Sequence, residues 1–180
     1  MLVLLGCSHE AQPLEVKPGW EDAQSTYSKL LRDLVRDCAI KAVAEEATQR
    51  KCTVAQSVAR ESECVYRNLD IDLDTQSRIE TAPQMEVDEM AGAWVPHEHY
   101  EYWRAWTLVR EYHMFKKYLE FNPANLPAVL ICGKLHLAGL KSLFKGWPDL
   151  RVLCTRAQYD DCCERWKDGK LFDFTLRHKN

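Results

Sequence analysis

The chain has 180 residues, of which 46% are hydrophobic, and a formal net charge of −3 at pH 7. This length and composition predict a single folded domain over residues 1–180, with a substantial core, and they exclude a disordered chain. No basic stripe alternates with aromatic residues, so the sequence predicts no nucleic-acid partner.

Membrane and export signals are not predicted. No apolar run approaches the ~20 residues that a membrane helix needs. The opening letters MLVLLGC lack basic residues, and their apolar run is too short for a signal peptide, so we interpret them as the first strand. The cysteines number eight and show no CxxC or zinc-knuckle spacing. We therefore expect reduced thiols in a cytoplasmic protein.

Strand-like and helix-like patterns alternate along the chain. Short apolar runs predict strands at Leu2–Leu5, Ala39–Ala44, Cys64–Tyr66, Ala128–Cys132 and Leu150–Cys154. Helical spacing predicts helices at about Asp22–Cys38, from the N-cap Thr53 to Ser62, at Tyr100–Phe121, and from His136 to a stop at Gly146. Residues 74–97 are acidic and rich in Pro and Gly, which predicts an irregular lid or connection beside the functional crevice.

This alternation predicts an α/β fold with a doubly wound, mainly parallel five-stranded sheet and helices on both faces. Right-handed crossovers favour the strand order 3-2-1-4-5. Strand one then lies beside strands two and four. Polar residues that follow these three strands are expected to meet in one crevice at the carboxyl edge of the sheet.

The motif Gly-x-x-His occurs twice, each time directly after a buried-strand pattern, and ends at His9 and at His136. The pair Glu45 and Glu46 follows the second strand. We therefore predict that both histidines and at least one of the two glutamates converge within a few ångströms. The alternative is that the histidines are structural and that the glutamates satisfy a helix dipole.

Two histidines and a carboxylate can hold a divalent transition metal such as Mn, Co or Zn and leave positions open for water. The predicted metal ligands are His9, His136 and Glu45, with Glu46 as the general base for a metal-bound water. Without a metal, a histidine beside a glutamate can activate water directly.

Arg110 lies on the long helix pattern and completes the predicted catalytic set with Glu45 and Glu46. Its guanidinium can stabilise an anionic transition state or orient a carboxylate. The alternative is a salt bridge with one of the glutamates that only holds the sheet edge.

Three weaker candidates accompany this set. One of the aspartates at the end of strand three, such as Asp70, can reach the crevice. Cys7 lies between a strand and a histidine, as a nucleophile would, but it is so close to His9 in sequence that their side chains need not meet. The HEH triplet at 97–99 is interpreted as a surface feature, because residues two apart on a helix point away from each other.

Together these motifs resemble the TraB/Tiki superfamily, which is related to the ChaN-like haem-binding proteins and the erythromycin esterases. The resemblance rests on the letters GCSH at 6–9 and GKLH at 133–136, on the glutamate pair, on the segment Arg110–Met114 ahead of strand four, and on Gly139. It implies a metal-dependent hydrolase that acts on a peptide, ester or amide bond of a small-molecule or peptide substrate.

A second class of function is a binding module that keeps the crevice but performs no chemistry. Its ligand would be haem, held by His9, His136 or a tyrosine as in the ChaN relatives, or a small anion. Nucleotide binding is disfavoured, because the turn after the first strand lacks GxGxxG and a P-loop lysine. The sequence leaves the oligomeric state open.

Overall fold

The computed structural model describes residues 1–16, 18–47, 52–72, 74–75, 105–122, 124–154, 164–167 and 170–171. Most of the predicted irregular connection, the HEH triplet and the start of the long helix pattern lie outside these residues.

Strands and helices alternate along the described chain. The strands are β1 (Leu2–Cys7), β2 (Ala42–Glu45), β3 (Val65–Asn68), β4 (Ala128–Gly133), β5 (Leu150–Cys154), β6 (Glu164–Lys167) and β7 (Lys170–Leu171). The helices are α1 (Glu21–Asp37), α2 (Val54–Glu61), α3 (Ala105–Phe121) and α4 (Leu137–Leu143). Two short 3₁₀ turns, His9–Ala11 and Lys134–His136, follow β1 and β4.

The helix ends follow local chemistry. Thr53 caps α2 as predicted, since its side chain accepts a hydrogen bond from the backbone N–H of Gln56. Helix α1 ends close to the predicted position, and the next residue after its C-cap, Ala39, adopts φ of 49°, a left-handed conformation that closes a helix. The second strand therefore starts at Ala42 and not at Ala39.

The described strands form one sheet in the order β3-β2-β4-β1-β5-β6-β7. The pairs among β1 to β5 are all parallel, which confirms the predicted doubly wound α/β class with a five-stranded parallel sheet. Strand β6 adds parallel to β5, and β7 pairs antiparallel to β6. The sequence patterns do not predict these two additional strands.

The predicted order 3-2-1-4-5 is wrong in one respect, because β1 and β4 exchange places. Strand β4 lies between β2 and β1, so β2 neighbours β4. Handedness permits both orders, since α1 and α2 cover one face and α3 and α4 the other in either case. Strands β2 and β1 flank β4 and continue into α2 and α1, which cover one face of the sheet. Strand β4 itself continues into α4, which covers the other face. The crevice therefore lies over the carboxyl end of β4.

Both faces of the central strands are buried. Along β1, Val3 and Leu5 belong to the core under α1 and α2. Leu2 and Leu4 belong to the core under α3 and α4. This two-sided burial explains why β1 and β4 read as continuous apolar runs, and it leaves polar residues only beyond their ends.

Candidate functional site at the end of β4

Glu46 lies at the centre of the crevice, directly after β2. Its side chain is fully buried. Oε2 accepts a hydrogen bond from the backbone N–H of Gly133 at 2.7 Å, and Oε1 accepts one from Nη2 of Arg110 at 2.5 Å. A carboxylate out of water is stable only when its oxygens are paired in this way. Glu46 is therefore held between the end of β4 and α3.

Two histidines face the same carboxylate oxygen. Nε2 of His136 lies 3.3 Å from Oε1 of Glu46, and Nε2 of His9 lies 3.9 Å from it. The His136 side chain is 8% exposed, whereas that of His9 is 41% exposed. The predicted convergence of both histidines on a glutamate is observed, and that glutamate is Glu46. His9 forms the side of the site that is open to solvent.

Each imidazole is anchored through its other ring nitrogen. Nδ1 of His136 lies 3.4 Å from Oε1 of Glu111 on α3. Nδ1 of His9 lies 2.9 Å from Oε1 of Gln12, whose amide nitrogen donates to the backbone carbonyl of Glu46. An acceptor at Nδ1 fixes the ring and directs Nε2 into the crevice. This arrangement is typical of histidines that bind a metal.

Glycines leave the space that these contacts need. A Cβ on Gly133 would lie 2.6 Å from Nε2 of His9, so the glycine of the second motif makes room for the histidine of the first. A Cβ on Gly139 would fall on the carboxylate of Glu111. Gly139 thus lets α4 approach α3 closely enough for Glu111 to reach His136.

We expect Gly139→Ala to lower the free energy of unfolding by about 1–3 kcal/mol, the usual cost of overpacking a buried site. The direction is informative, because Ala normally stabilises a helix by about 1 kcal/mol relative to Gly. Urea unfolding of the two proteins measures the difference.

The matched control is the same substitution in a Glu111→Ala background. Without the carboxylate, Gly139→Ala should stabilise the protein by up to about 1 kcal/mol, as helix propensity predicts. A stabilising Gly139→Ala in the otherwise unchanged chain would contradict the close approach of α3 and α4.

Arg110 bridges two acidic residues. Its Nη2 bonds Glu46 and also Oδ1 of Asp70, at 2.9 Å. The side chains of Arg110 and Asp70 are 13% and 2% exposed. The predicted salt bridge of Arg110 with one of the two glutamates is observed, and its partner is Glu46. Asp70 reaches the crevice from the end of β3.

Glu45 contacts a different set of residues. Its Oε2 accepts hydrogen bonds from the hydroxyl groups of Thr53, at 2.7 Å, and Tyr66, at 3.0 Å. These partners lie at the start of α2 and on β3. Consecutive residues at the end of an extended strand point to opposite sides. The structure therefore places Glu46, and not the predicted ligand Glu45, beside the histidines.

Glu46 and His136 form an ion pair at neutral pH. Burial on its own would raise the pKa of Glu46. The hydrogen bond and charge of His136 outweigh that effect, together with the charge of Arg110 and the N–H of Gly133, and lower the pKa to about 2. Burial opposes charge on His136 as well, but its contacts with Glu111 and Glu46 raise its pKa to about 9. A cation that binds Nε2 of His136 must therefore displace a proton.

The structure gives Cys7 a different role from that of a nucleophile. Its side chain is buried in the core under α1 and α2, with only 3% exposed. A nucleophile must be reached by its substrate, so this burial favours a packing role.

Gln12 and Glu111 are the site residues that the sequence patterns do not single out. A signal exists for both. Gln12 stands three residues after His9, one turn further along the chain. Glu111 shares a helical stripe with Met114 and Tyr118, and a carboxylate on an apolar stripe indicates a buried polar site.

The donors in the crevice are of the kind that a divalent cation binds, two imidazole nitrogens and a carboxylate oxygen. Metal–ligand distances near 2.1 Å in a tetrahedral site put neighbouring donors about 3.4 Å apart. The histidine nitrogens lie 3.3 and 3.9 Å from Oε1 of Glu46. As the side chains stand, no group of three or more His, Cys, Asp or Glu among the described residues is arranged to hold a metal. Arg110 bonds the same oxygen, so a cation must displace it onto Asp70.

Comparisons with protein-family models, with curated proteins and with solved structures found no match for this chain. The fold and the site therefore define its class, a doubly wound α/β protein with a buried histidine–glutamate–arginine site over the central strand. Within the described ranges, no helix has the length and apolar content to cross a membrane. No disulfide joins the cysteines of these ranges, which are Cys7, Cys38, Cys52, Cys64, Cys132 and Cys154.

Proposed function

We propose that the protein is a hydrolase that cleaves a peptide, ester or amide bond with a divalent cation held by His9, His136 and Glu46. The observation that carries the proposal is the pair of anchored imidazoles. Each ring is fixed at Nδ1 and presents Nε2 to the same buried carboxylate oxygen. Two structural histidines need not point their free ring nitrogens at the same atom, whereas two ligands of one metal ion must point theirs at one place.

The charges around the site favour a cation over an anion. Three acidic side chains, Glu46, Asp70 and Glu111, surround one permanent cation, Arg110. Protonated His136 leaves a formal excess of negative charge. A dication that replaces this proton would balance the site, whereas an anionic ligand would add to the excess. This count supports the hydrolase over a module that binds a small anion.

The chain's own residues have separable tasks. His136 and Glu46 form the buried wall of the site, and His9 forms its open side, where a substrate enters. Gln12 and Glu111 hold the two rings in place. A bound divalent cation would supply a nucleophilic hydroxide at neutral pH.

Arg110 is a positioning residue in this proposal: it holds the carboxylate of Glu46 until a cation binds, and then it stays paired with Asp70 alone. Glu45 has no assigned contact with the cation and supports the start of α2 through Thr53. The paired Gly-x-x-His motifs, which resemble those of the TraB/Tiki superfamily, are consistent with this proposal.

The test is calorimetric titration of untagged protein with Zn²⁺, Mn²⁺ and Co²⁺, followed by a hydrolysis screen with peptides, esters and amides. We expect one cation per chain, with an affinity that rises from pH 6 to pH 9 as the proton leaves His136. His136→Ala should abolish both binding and turnover. Leu135→Ala is the matched control, because this neighbour of His136 is 74% exposed and makes no part of the site, and it should preserve both.

The possible outcomes separate the candidate functions. Equal hydrolysis by the unchanged protein and His136→Ala would identify a contaminant and refute the hydrolase. Turnover that resists a chelator would point to direct activation of water by His9. Cation binding without turnover on any substrate class would leave the binding module as the better description.

A further inference from the structure

A second cavity, of about 330 Å³, lies between the end of β3 and α3. Asp70 lines it, and the same aspartate accepts the hydrogen bond of Arg110, which bonds Glu46. The buried ion pairs of Arg110 with Asp70 and Glu46 therefore separate this cavity from the neighbouring histidine crevice. The volume of the cavity falls at the lower end of the range for small-molecule sites.

The acidic side chains of this cavity already have partners. Each of the three carboxylates accepts hydrogen bonds within 3.0 Å. The partners are Arg110 for Asp70, Lys117 for Glu120, and the backbone N–H and hydroxyl of Thr75 for Asp72. These carboxylates are therefore poor candidates to bind a ligand.

The basic lining differs. Arg67 is exposed and His113 is half-buried, and neither makes a hydrogen bond or an ion pair with any residue the structure describes. Arg67 pairs in register with Ala44, which belongs to the core under α3 and α4, so its side chain lies on the same face as α3. A guanidinium presents a planar fork of N–H donors that matches a carboxylate. The cavity therefore presents hydrogen-bond donors that no residue in the described ranges accepts.

We propose that this cavity is a substrate subsite, in which Arg67 binds a carboxylate and His113 supplies a second polar contact. The inference rests on the proposed function and specifies its substrate class. The hydrolase would act on substrates that carry a carboxylate, from a peptide carboxyl terminus or an acidic side chain, next to the scissile bond. Arg67 then determines specificity and takes no part in the chemistry.

Binding can be tested without turnover. Ring resonances of His113, assigned by their loss in His113→Gln, are followed by NMR during titration with N-acetylglycine and with the neutral N-acetylglycinamide. Only the carboxylate should shift them. Arg67→Gln should weaken binding about tenfold or more, as loss of a charge-assisted hydrogen bond predicts. Arg60→Gln, an exposed arginine on α2, should leave it unchanged. N-acetylglutamate α-amide carries a carboxylate only on its side chain. Binding of this compound indicates recognition of acidic side chains, and binding of N-acetylglycine alone indicates recognition of a peptide carboxyl terminus.

Equal shifts by the acid and the amide, or unchanged affinity in Arg67→Gln, would overturn the subsite. The kinetic arm uses substrates from the hydrolysis screen. Arg67→Gln should raise KM about tenfold for acidic substrates, with kcat and the cleavage of neutral substrates unchanged. Carboxylate binding without any hydrolysis would refute the proposed function and keep the subsite. Hydrolysis without a preference for acidic substrates would refute only the subsite.

Discussion

Glu46→Gln should lower turnover by at least roughly 10²-fold, because loss of a residue that only supports a metal ligand already costs about 10–100-fold. A glutamine side chain has no charge to hold a cation, and its amide –NH₂ group would face a donor at either Gly133 or Arg110. We also expect the affinity for the cation to fall, because one of its three proposed ligands is gone. Steady-state kinetics and calorimetric titration measure the two effects on the same preparation.

Glu45→Gln is the matched control. The two glutamates are consecutive, and both are fully buried. Glu45 accepts from hydroxyl groups, which a glutamine oxygen can also do, so turnover should stay near the original value. The reverse pattern, with loss in Glu45→Gln alone, would restore the sequence-based assignment of Glu45. If Glu46→Gln fails to fold, Glu46→Asp keeps the charge and withdraws it from the histidines.

The sequence predicts the class of fold because the central strands are buried on both faces. Their apolar runs, such as Leu2–Leu5, alternate with helical stripes and end in polar residues. These features are local and can be read from spacing. The tail strands β6 and β7 are short and lack an apolar run, so no local pattern marks them.

The exchange of β1 and β4 in the strand order cannot be predicted from local sequence patterns. Both strands are apolar and buried, and both end in Gly-x-x-His. Either order gives right-handed crossovers and keeps the two strands adjacent. The choice depends on which neighbour β2 finds, and Ala42 pairs with Ala128 of β4. The predicted crevice survives the exchange because β4 brings His136 directly beside the end of β2.

The sequence pattern also cannot predict which of the two glutamates lies beside the histidines. Glu45 and Glu46 are identical in type and adjacent, so their roles are set by the pleat of β2 and by the partners on each face. Arg110 and Thr53 lie on opposite faces and select one carboxylate each. Sequence spacing predicted that a glutamate would reach the histidines, and the tertiary contacts decide that it is Glu46.

The ion pair of Glu46 and His136 should make stability depend on pH. The pKa of His136 is raised from 6.5 to about 9, so its contribution is fully present below pH 6.5 and is lost as pH rises through 9. A shift of this size corresponds to about 3 kcal/mol of unfolding free energy. The pKa of Glu46 is lowered from 4.5 to about 2, so the carboxylate contributes above pH 4.5 and loses its contribution as pH falls through 2. Both shifts report largely on the same pair and are not added.

Urea unfolding in the presence of a chelator, between pH 6 and pH 9.5, measures the alkaline loss. The control is His136→Gln, which removes the titrating group, so the difference between the two proteins isolates its contribution from that of cysteines and lysines. We expect the unchanged protein to lose about 3 kcal/mol more than the variant over this interval, with the steepest change about midway between the two pKa values, near pH 8. NMR titration of the His136 ring gives the pKa directly. A pKa near 6.5, with parallel stability curves for the two proteins, would show that the imidazole and Glu46 are not paired in solution.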